Sequence, residues 1–363
     1  MIEKREYRDW SKEFHDHFAM DPIVIQMELT YRCPLHCLHC YSDCYNLPDM
    51  EEKELSTDSV KKIIDKLYDS KCLWLSFTGG DPMQRKDFSE IYEYAKDKGF
   101  IITVLTSLAA MNDRVFELLV RKPPFSLSMT LNGVTEYTYE KVSGVKGSFP
   151  GVMRNIDRCL KAGLPLGIKT LLSKNNIGEL NQIKEFVEAR TGKFIPSVSI
   201  NARFNCDTSV CRYRLDPQEV MKLDFPDEDC EAFEENDLMG RNKNGLKPVS
   251  DRLFRCAVGN WQWHIDPFGE LKVCTYLRQP AYDILKGDII EGVKMLSNYV
   301  KSSRFKTASK CKTCDISHLC NWCPAKARLE VGDEEAPIPH FCRMARLKDK
   351  ILSKTARKGT CDG

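Results

Sequence analysis

The chain has 363 residues, of which 42% are hydrophobic and 29% charged, with a formal charge of +2. That is enough chain for one large domain with a smaller one attached. It carries no low-complexity tract and no internal repeat, which excludes a disordered or fibrous protein. The near-neutral balance gives no electrostatic footprint for nucleic acid or anionic lipid, so neither is an expected partner.

The N-terminus MIEKREYRDWSKEF has no apolar stretch behind its charges, and no run of about 18 apolar residues follows anywhere, so neither a secretion signal nor a membrane helix is expected. Cysteine is the outlier: there are 17, an odd number, in a chain far longer than small secreted disulfide scaffolds. Clustered thiols in a chain expected to stay in the reducing cytoplasm point to metal.

After about twenty polar residues, the run IVIQMELT at 23–30 predicts a buried strand, and the first cysteine cluster follows it directly. Val60, Ile63, Ile64 and Leu67 keep helical spacing. LWLSF at 73–77 predicts a strand, and Phe88, Ile91, Tyr92 and Ala95 predict a helix ending at Gly99. Further strands are predicted at 101–106 (IITVLT), 125–131 (FSLSMTL), 164–172 (LPLGIKTLL) and 196–200 (PSVSI). Strands alternating with helices imply βαβ units, a parallel sheet and a site built from loops at the strand C-termini. From Cys206 to Ser250 the periodicity fades into an acidic stretch, DFPDEDCEAFEEND, read as a solvated bridging segment. Cysteine density then rises from Asp251 onward, predicting a second domain held by metal rather than by a large apolar core.

CPLHCLHC places Cys33, Cys37 and Cys40 in the loop leaving the first strand. Three thiolates on one short loop can hold a [4Fe–4S] cube and leave its fourth iron without a protein ligand. A zinc knuckle, the competing reading, needs a fourth ligand that the loop does not supply.

With the motifs that follow it, this loop resembles that of the radical S-adenosylmethionine (SAM) superfamily, and the resemblance covers most of the chain. It implies an α/β fold, a partial (β/α)6 TIM-like barrel. It also implies that SAM chelates the open iron through its amino and carboxylate groups, so that one electron breaks a C–S bond and releases a 5′-deoxyadenosyl radical. TGGDP, with Thr78, Gly79, Gly80 and Asp81, stands where the family has a GGE-P element whose backbone binds the SAM amino group. Asp81 in place of Glu is a departure that leaves a backbone role intact. The same resemblance makes Thr106, Ser107, Thr130 and Asn132 candidate ribose contacts, with Lys169 or Thr170 on the next strand. His39 and Tyr41 flank Cys40 like the aromatic neighbours of the adenine.

Further on, Cys256, Gly269 and Cys274 are followed by Cys311-x2-Cys314-x5-Cys320-x2-Cys323 and Cys342. This pattern resembles the SPASM domain that peptide-modifying radical SAM enzymes append to their barrels, and implies two auxiliary [4Fe–4S] clusters. Cys311, Cys314, Cys320 and Cys342 would complete one, and Cys256, Cys274 and Cys323 would give three ligands to the other. The family usually leaves three residues before the Cys323 equivalent, where this chain has only Asn321 and Trp322. The missing fourth ligand is left to Cys206, Cys211 or Cys230, or to an iron open to substrate. Structural zinc is the alternative for paired CxxC spacings. Cys72 and Cys159 read as small buried hydrophobes, while Cys44 and Cys361 have no partner at metal spacing.

By resemblance the substrate is a ribosomally synthesised peptide and the chemistry an oxidative cross-link. Anaerobic sulfatase maturases carry an acidic base where this chain has Thr275, which disfavours formylglycine formation. The short stretch before the first strand is too small for a leader-binding domain, so either a separate leader-recognition protein or a substrate that needs none is expected, with a reductase such as flavodoxin or ferredoxin as electron donor. Two other readings stay open: a radical SAM enzyme acting on a cofactor, sugar or tetrapyrrole, and a non-catalytic metal-binding scaffold. No residue is singled out as an acid or base. The expected organisation is an extension at 1–20, the core barrel at 21–215, a bridge at 216–250, the SPASM domain at 251–350 and a tail at 351–363.

Overall fold

The computed structural model describes residues 22–224, 251–256 and 259–358. The N-terminal extension at 1–20, most of the bridge with Cys230, and the end of the tail with Cys361 lie outside the described residues.

Six strands lie side by side and parallel in the order in which they occur: β1 (Val24–Thr30), β2 (Trp74–Gly79), β3 (Ile101–Thr106), β4 (Ser126–Thr130), β5 (Leu166–Leu171) and β6 (Ile195–Ser197). The helices between them are α1 (Met50–Lys53), α2 (Thr57–Asp69), α3 (Phe88–Asp97), α4 (Asp113–Arg121), α5 (Glu136–Ser143), α6 (Phe149–Lys161) and α7 (Leu180–Thr191). Side-chain oxygens of Ser56, Asn112 and Thr135 accept first-turn amides of α2, α4 and α5, which fixes where those helices begin.

Alternation along each strand separates two faces. Ile25, Met27, Leu29, Leu75, Phe77, Ile102, Val104, Leu127 and Met129 share one buried core with helix residues such as Val60, Ile63, Leu67, Ile91, Leu118 and Ile156. The opposite face carries Gln26, Glu28, Ser76, Thr78, Thr103 and Ser128, with Gln26 beside Ser76 and Ser76 beside Thr103 in the register. β6 is shorter than predicted and ends the sheet, where the missing N–H of Pro196 is best tolerated.

The region after 251 departs from expectation. β7 (Gln262–Ile265) pairs parallel with β1, and β8 (Glu270–Lys272) and β9 (Tyr282–Asp283) continue antiparallel, giving one nine-stranded sheet. Leu253, Trp263, Ile265, Leu271, Val273, Ile284, Val293 and Leu296 belong to the barrel's own core. The first half of the cysteine-rich region is therefore held by apolar burial, not by metal alone. Its cause is local: Trp263 and Ile265 alternate with Gln262 and His264, and a strand of that pattern covers the otherwise open edge of β1. The predicted bridge also begins with a helix, α8 (Pro217–Asp224).

Three helices follow: α9 (Ile289–Ser302), α10 (Pro324–Val331) and α11 (Pro339–Lys358). α10 is shared among three apolar clusters: Ala325 belongs to the large core, Leu329 packs with Tyr31 and Phe204, and Ala327 with Ile338 and Phe341. Among the described residues no helix is long and apolar enough to cross a membrane.

Candidate functional site

The loop that leaves β1 is fixed before any cofactor is considered. The Asn46 side chain accepts the Cys33 N–H at 3.0 Å and donates to the carbonyls of Cys33 and Leu35, each at 3.1 Å. His36 and Leu38 N–H groups donate at 2.9 Å to the carbonyls of Ser143 and Val142 at the end of α5. Arg32, just before the first thiol, donates to the Glu54 carboxylate at 3.2 and 3.0 Å.

Cys33, Cys37 and Cys40 are partly buried within this frame. Burial pushes the Cys33 thiol up, with Asp81, Cys37 and Cys40 adding repulsion. Burial and Cys40 push Cys37 up to about 12. Three close thiols that resist ionisation in the bare protein become thiolates readily only on a cation, so the donor set fits an iron–sulfur cluster. The Asn132 amide donates to Cys37 Sγ at 3.4 Å, and Ser42 Oγ lies 3.5 Å from Cys40 Sγ, contacts that suit sulfur carrying negative charge.

TGGDP closes over the base of this loop. Gly80 N–H donates to the Thr30 carbonyl at 2.8 Å and Asp81 N–H to the Arg32 carbonyl at 2.9 Å. A Cβ on Gly79 would stand 2.0 Å from the Thr30 oxygen, and one on Gly80 2.4 Å from that of Arg32, so both positions exclude any side chain. Asp81 is fully buried. Its carboxylate accepts Thr106 Oγ1 at 2.9 Å, Ser107 N–H at 2.9 Å, Ser107 Oγ at 2.5 Å and Met83 N–H at 3.1 Å. Thr106 and Ser107, expected at the ribose, thus spend their hydroxyl protons on Asp81 and tie the end of β3 to the end of β2.

Of the other expected contacts, Thr78 and Asn132 are buried, while Thr130 and Lys169 are exposed. Asn132 Oδ1, Thr170 Oγ1 and His39 Nδ1 are buried without a hydrogen-bond partner among the described residues. Such orphaned polar atoms around the thiol loop fit a polar ligand. Burial holds the His39 imidazole down at about 4, so the ring is neutral. Tyr41 lies in an aromatic basin, 5.0 Å from the Phe204 ring and 5.7 Å from the Tyr276 ring between centroids.

The polar face of the sheet holds residues that sequence reasoning missed. Glu28 is fully buried, and its Oε2 lies 2.9 Å from His264 Nε2 on the adjacent β7. Thr275 Oγ1 lies 3.4 Å from His264 Nδ1. A cavity of about 200 Å³ opens there between Gln26, Gln262, His264, Cys274 and Thr275. Deeper in, Lys272 pairs with Asp266 at 2.5 Å and Arg278 donates to the Tyr31 hydroxyl at 2.6 Å. Reading IVIQMELT as one apolar run hid the signal, which is its polar residues recurring every second position at Gln26, Glu28 and Thr30.

The C-terminal thiols gather in two groups. Cys274 and Cys323 are pushed up by burial and by the repulsion of neighbouring thiols, which include Cys256 for both. Burial, with Cys342, Cys320 and Cys314, pushes Cys311 up to about 11. Among the described residues no three His, Cys, Asp or Glu side chains converge as a single ion requires. A cube whose corners each bind one sulfur does not require that convergence. Cys72 and Cys159 are buried in the core, apart from either group.

A parallel sheet with three thiols on the loop after its first strand is the arrangement that comparison with known proteins also finds. Residues 27–187 match the Radical SAM superfamily, so this part of the chain carries a Radical SAM domain; enzymes of that family use SAM and a [4Fe–4S] cluster. The chain is 31% identical to Fe-coproporphyrin III synthase of Methanosarcina barkeri over 49% of its own length, an alignment spanning only 45% of that relative, less than two thirds. It is 29% identical to AdoMet-dependent heme synthase of the same organism, covering 87% of this chain and 95% of the relative. It is also 29% identical to mycofactocin maturase MftC of Mycobacterium ulcerans, covering 73% and 71%. The fold matches that of Streptococcus suis SuiB bound to its precursor peptide SuiA with a TM-score of 0.65, at 16% identity and over 91% of this chain and 78% of that one.

Proposed function

We propose that Cys33, Cys37 and Cys40 hold a [4Fe–4S] cluster with one iron left for SAM, and that the enzyme uses it to abstract hydrogen from a ribosomally synthesised peptide for an oxidative cross-link or similar modification. The observation that carries this reading is the three-thiol loop, pinned by Asn46 and overlaid by the glycine pair of TGGDP. When bound, cluster and SAM supply a 5′-deoxyadenosyl radical. The chain's own part is to fix that chemistry in place. Asp81 holds the glycine turn, the Asn132 amide hydrogen-bonds one ligand sulfur, and Gly79 and Gly80, which admit no side chain, present the backbone that would meet the SAM amino group.

Auxiliary clusters on Cys256, Cys274 and Cys323, and on Cys311, Cys314, Cys320 and Cys342, provide a path for the second electron of an oxidation. The peptide reading is supported by MftC, named a maturase, and by the SuiB complex with a precursor peptide. A flavodoxin or ferredoxin as donor, a separate leader-recognition protein and a cytoplasmic setting complete the proposal. A second reading, modification of a tetrapyrrole, is favoured by one observation: the heme synthase aligns over nearly its whole length.

Anaerobic reconstitution followed by iron, sulfide and zinc analysis tests the cofactor reading; three [4Fe–4S] clusters require about twelve iron atoms per chain. SAM with dithionite must then yield 5′-deoxyadenosine. Candidate peptides and Fe-coproporphyrin III, assayed side by side, separate the substrate readings, because only the true class consumes SAM in proportion to product. No 5′-deoxyadenosine at full iron loading would leave the metal-scaffold reading standing.

A further inference from the structure

Lys326 is a half-buried cation that no carboxylate among the described residues answers. It lies in the first turn of α10, where its N–H donates at 3.5 Å to Cys323 Sγ, the residue that caps the helix. Its Nζ stands 5.5 Å from the ring centroids of both Tyr276 and Phe341. The charged side chain that faces it, Arg214, is itself cationic and is taken up by Glu330 through bonds of 2.7 and 2.6 Å. Among the described residues no salt bridge reaches the Lys326 ammonium. What else faces it is sulfur: the thiols of Cys323, Cys274 and Cys256.

Withdrawing a cation from water costs free energy unless an anion faces it. Neutral thiols do not meet that need, whereas thiolates bound to iron do, and the N-terminal end of α10 adds its partial positive charge on the same side. We propose that Lys326 is the counter-ion of an iron–sulfur cluster on Cys256, Cys274 and Cys323 and holds that cluster's reduction potential up. This rests on the ligand assignment made above. A one-electron reduction makes the cluster more negative, so a fixed ammonium beside it favours the reduced form. Lys326 touches no reacting atom in this account and is a positioning residue.

The test is an EPR-monitored redox titration with dithionite on the reconstituted full-length protein, comparing wild type with Lys326→Gln and Lys326→Arg. At a fixed potential, Lys326→Gln should lower the reduced-to-oxidised ratio of one cluster about tenfold, equivalent to about 59 mV for one electron. Lys326→Arg, which keeps the charge, should stay near wild type, and the remaining cluster signals should not move. An unchanged midpoint in a fully iron-loaded Lys326→Gln protein overturns the proposal. If Lys326→Gln fails to load iron while Lys326→Arg loads it, the charge itself is required and the proposal stands. If neither loads, the side chain matters for packing and the proposal falls. A wild-type protein with iron for the other clusters only would overturn the ligand assignment, and iron analysis distinguishes that failure from a fault in the role of Lys326.

Discussion

Two sets of thiols in this molecule are held in opposite ways. Cys33, Cys37 and Cys40 come from one loop of eight residues, pinned by Asn46 and α5 and backed by the largest core in the protein. The C-terminal thiols are gathered from positions between 256 and 342: Cys274, Cys311 and Cys323 sit at the margin of that same core, while Cys320 rests on a cluster of only three buried residues. The barrel loop is thus held by its own hydrogen bonds, whereas thiols brought together from so far apart in sequence need metal as well as packing to stay grouped. The difference reflects sequence separation: closing a short loop costs little entropy, and gathering distant thiols needs either a core or a metal.

The sharpest break of this comparison comes from the barrel loop. Changing Cys33, Cys37 or Cys40 to Ala should abolish 5′-deoxyadenosine formation while the far-ultraviolet circular dichroism stays unchanged, because the fold there does not depend on the metal. Normal SAM cleavage in those variants would sink the assignment. Next in size, Cys314→Ala or Cys320→Ala should retain part of the SAM cleavage and lose product. Limited proteolysis should then cut first between residues 306 and 323, and protection equal to wild type would show that this part does not lean on metal. Third, Asp81→Ala leaves the Thr106, Ser107 and Met83 donors unanswered inside the core. It should lower unfolding free energy by about 3 kcal/mol in denaturant titrations, since each stranded buried donor costs about 1–3 kcal/mol and local relaxation recovers part.

The barrel strands and their helices were legible because a strand under helices must alternate. Val60, Ile63, Ile64 and Leu67 all face the core at the spacing that placed them on a helix. The thiol loop was legible because its three cysteines lie within eight residues and need no long-range contact to meet. What could not be read was non-local. The pairing of β7 with β1 joins residues more than 230 apart, and the Glu28–His264 pair exists only through that pairing. Thr106 and Ser107 mark the other limit: polar residues at a strand end announce a site, but only the structure shows that their hydroxyls turn to Asp81.

The smallest predicted effect bears most directly on the idea of a preformed loop. Asn46 contributes no ligand, yet its amide joins the Cys33 N–H and the carbonyls of Cys33 and Leu35, so it fixes the first thiol's backbone from 13 residues away. Asn46→Ala removes three hydrogen bonds in a partly exposed place where water can replace some of them, so the loss of stability should be only about 1–2 kcal/mol. The kinetic consequence should be larger than the thermodynamic one. A loop that samples open conformations exposes its cluster, so iron should leave to a chelator about tenfold faster than from wild type, as followed by loss of the cluster's visible absorbance. Equal rates would mean that the cluster organises the loop, and the barrel thiols would then obey the same rule as those of the C-terminal part.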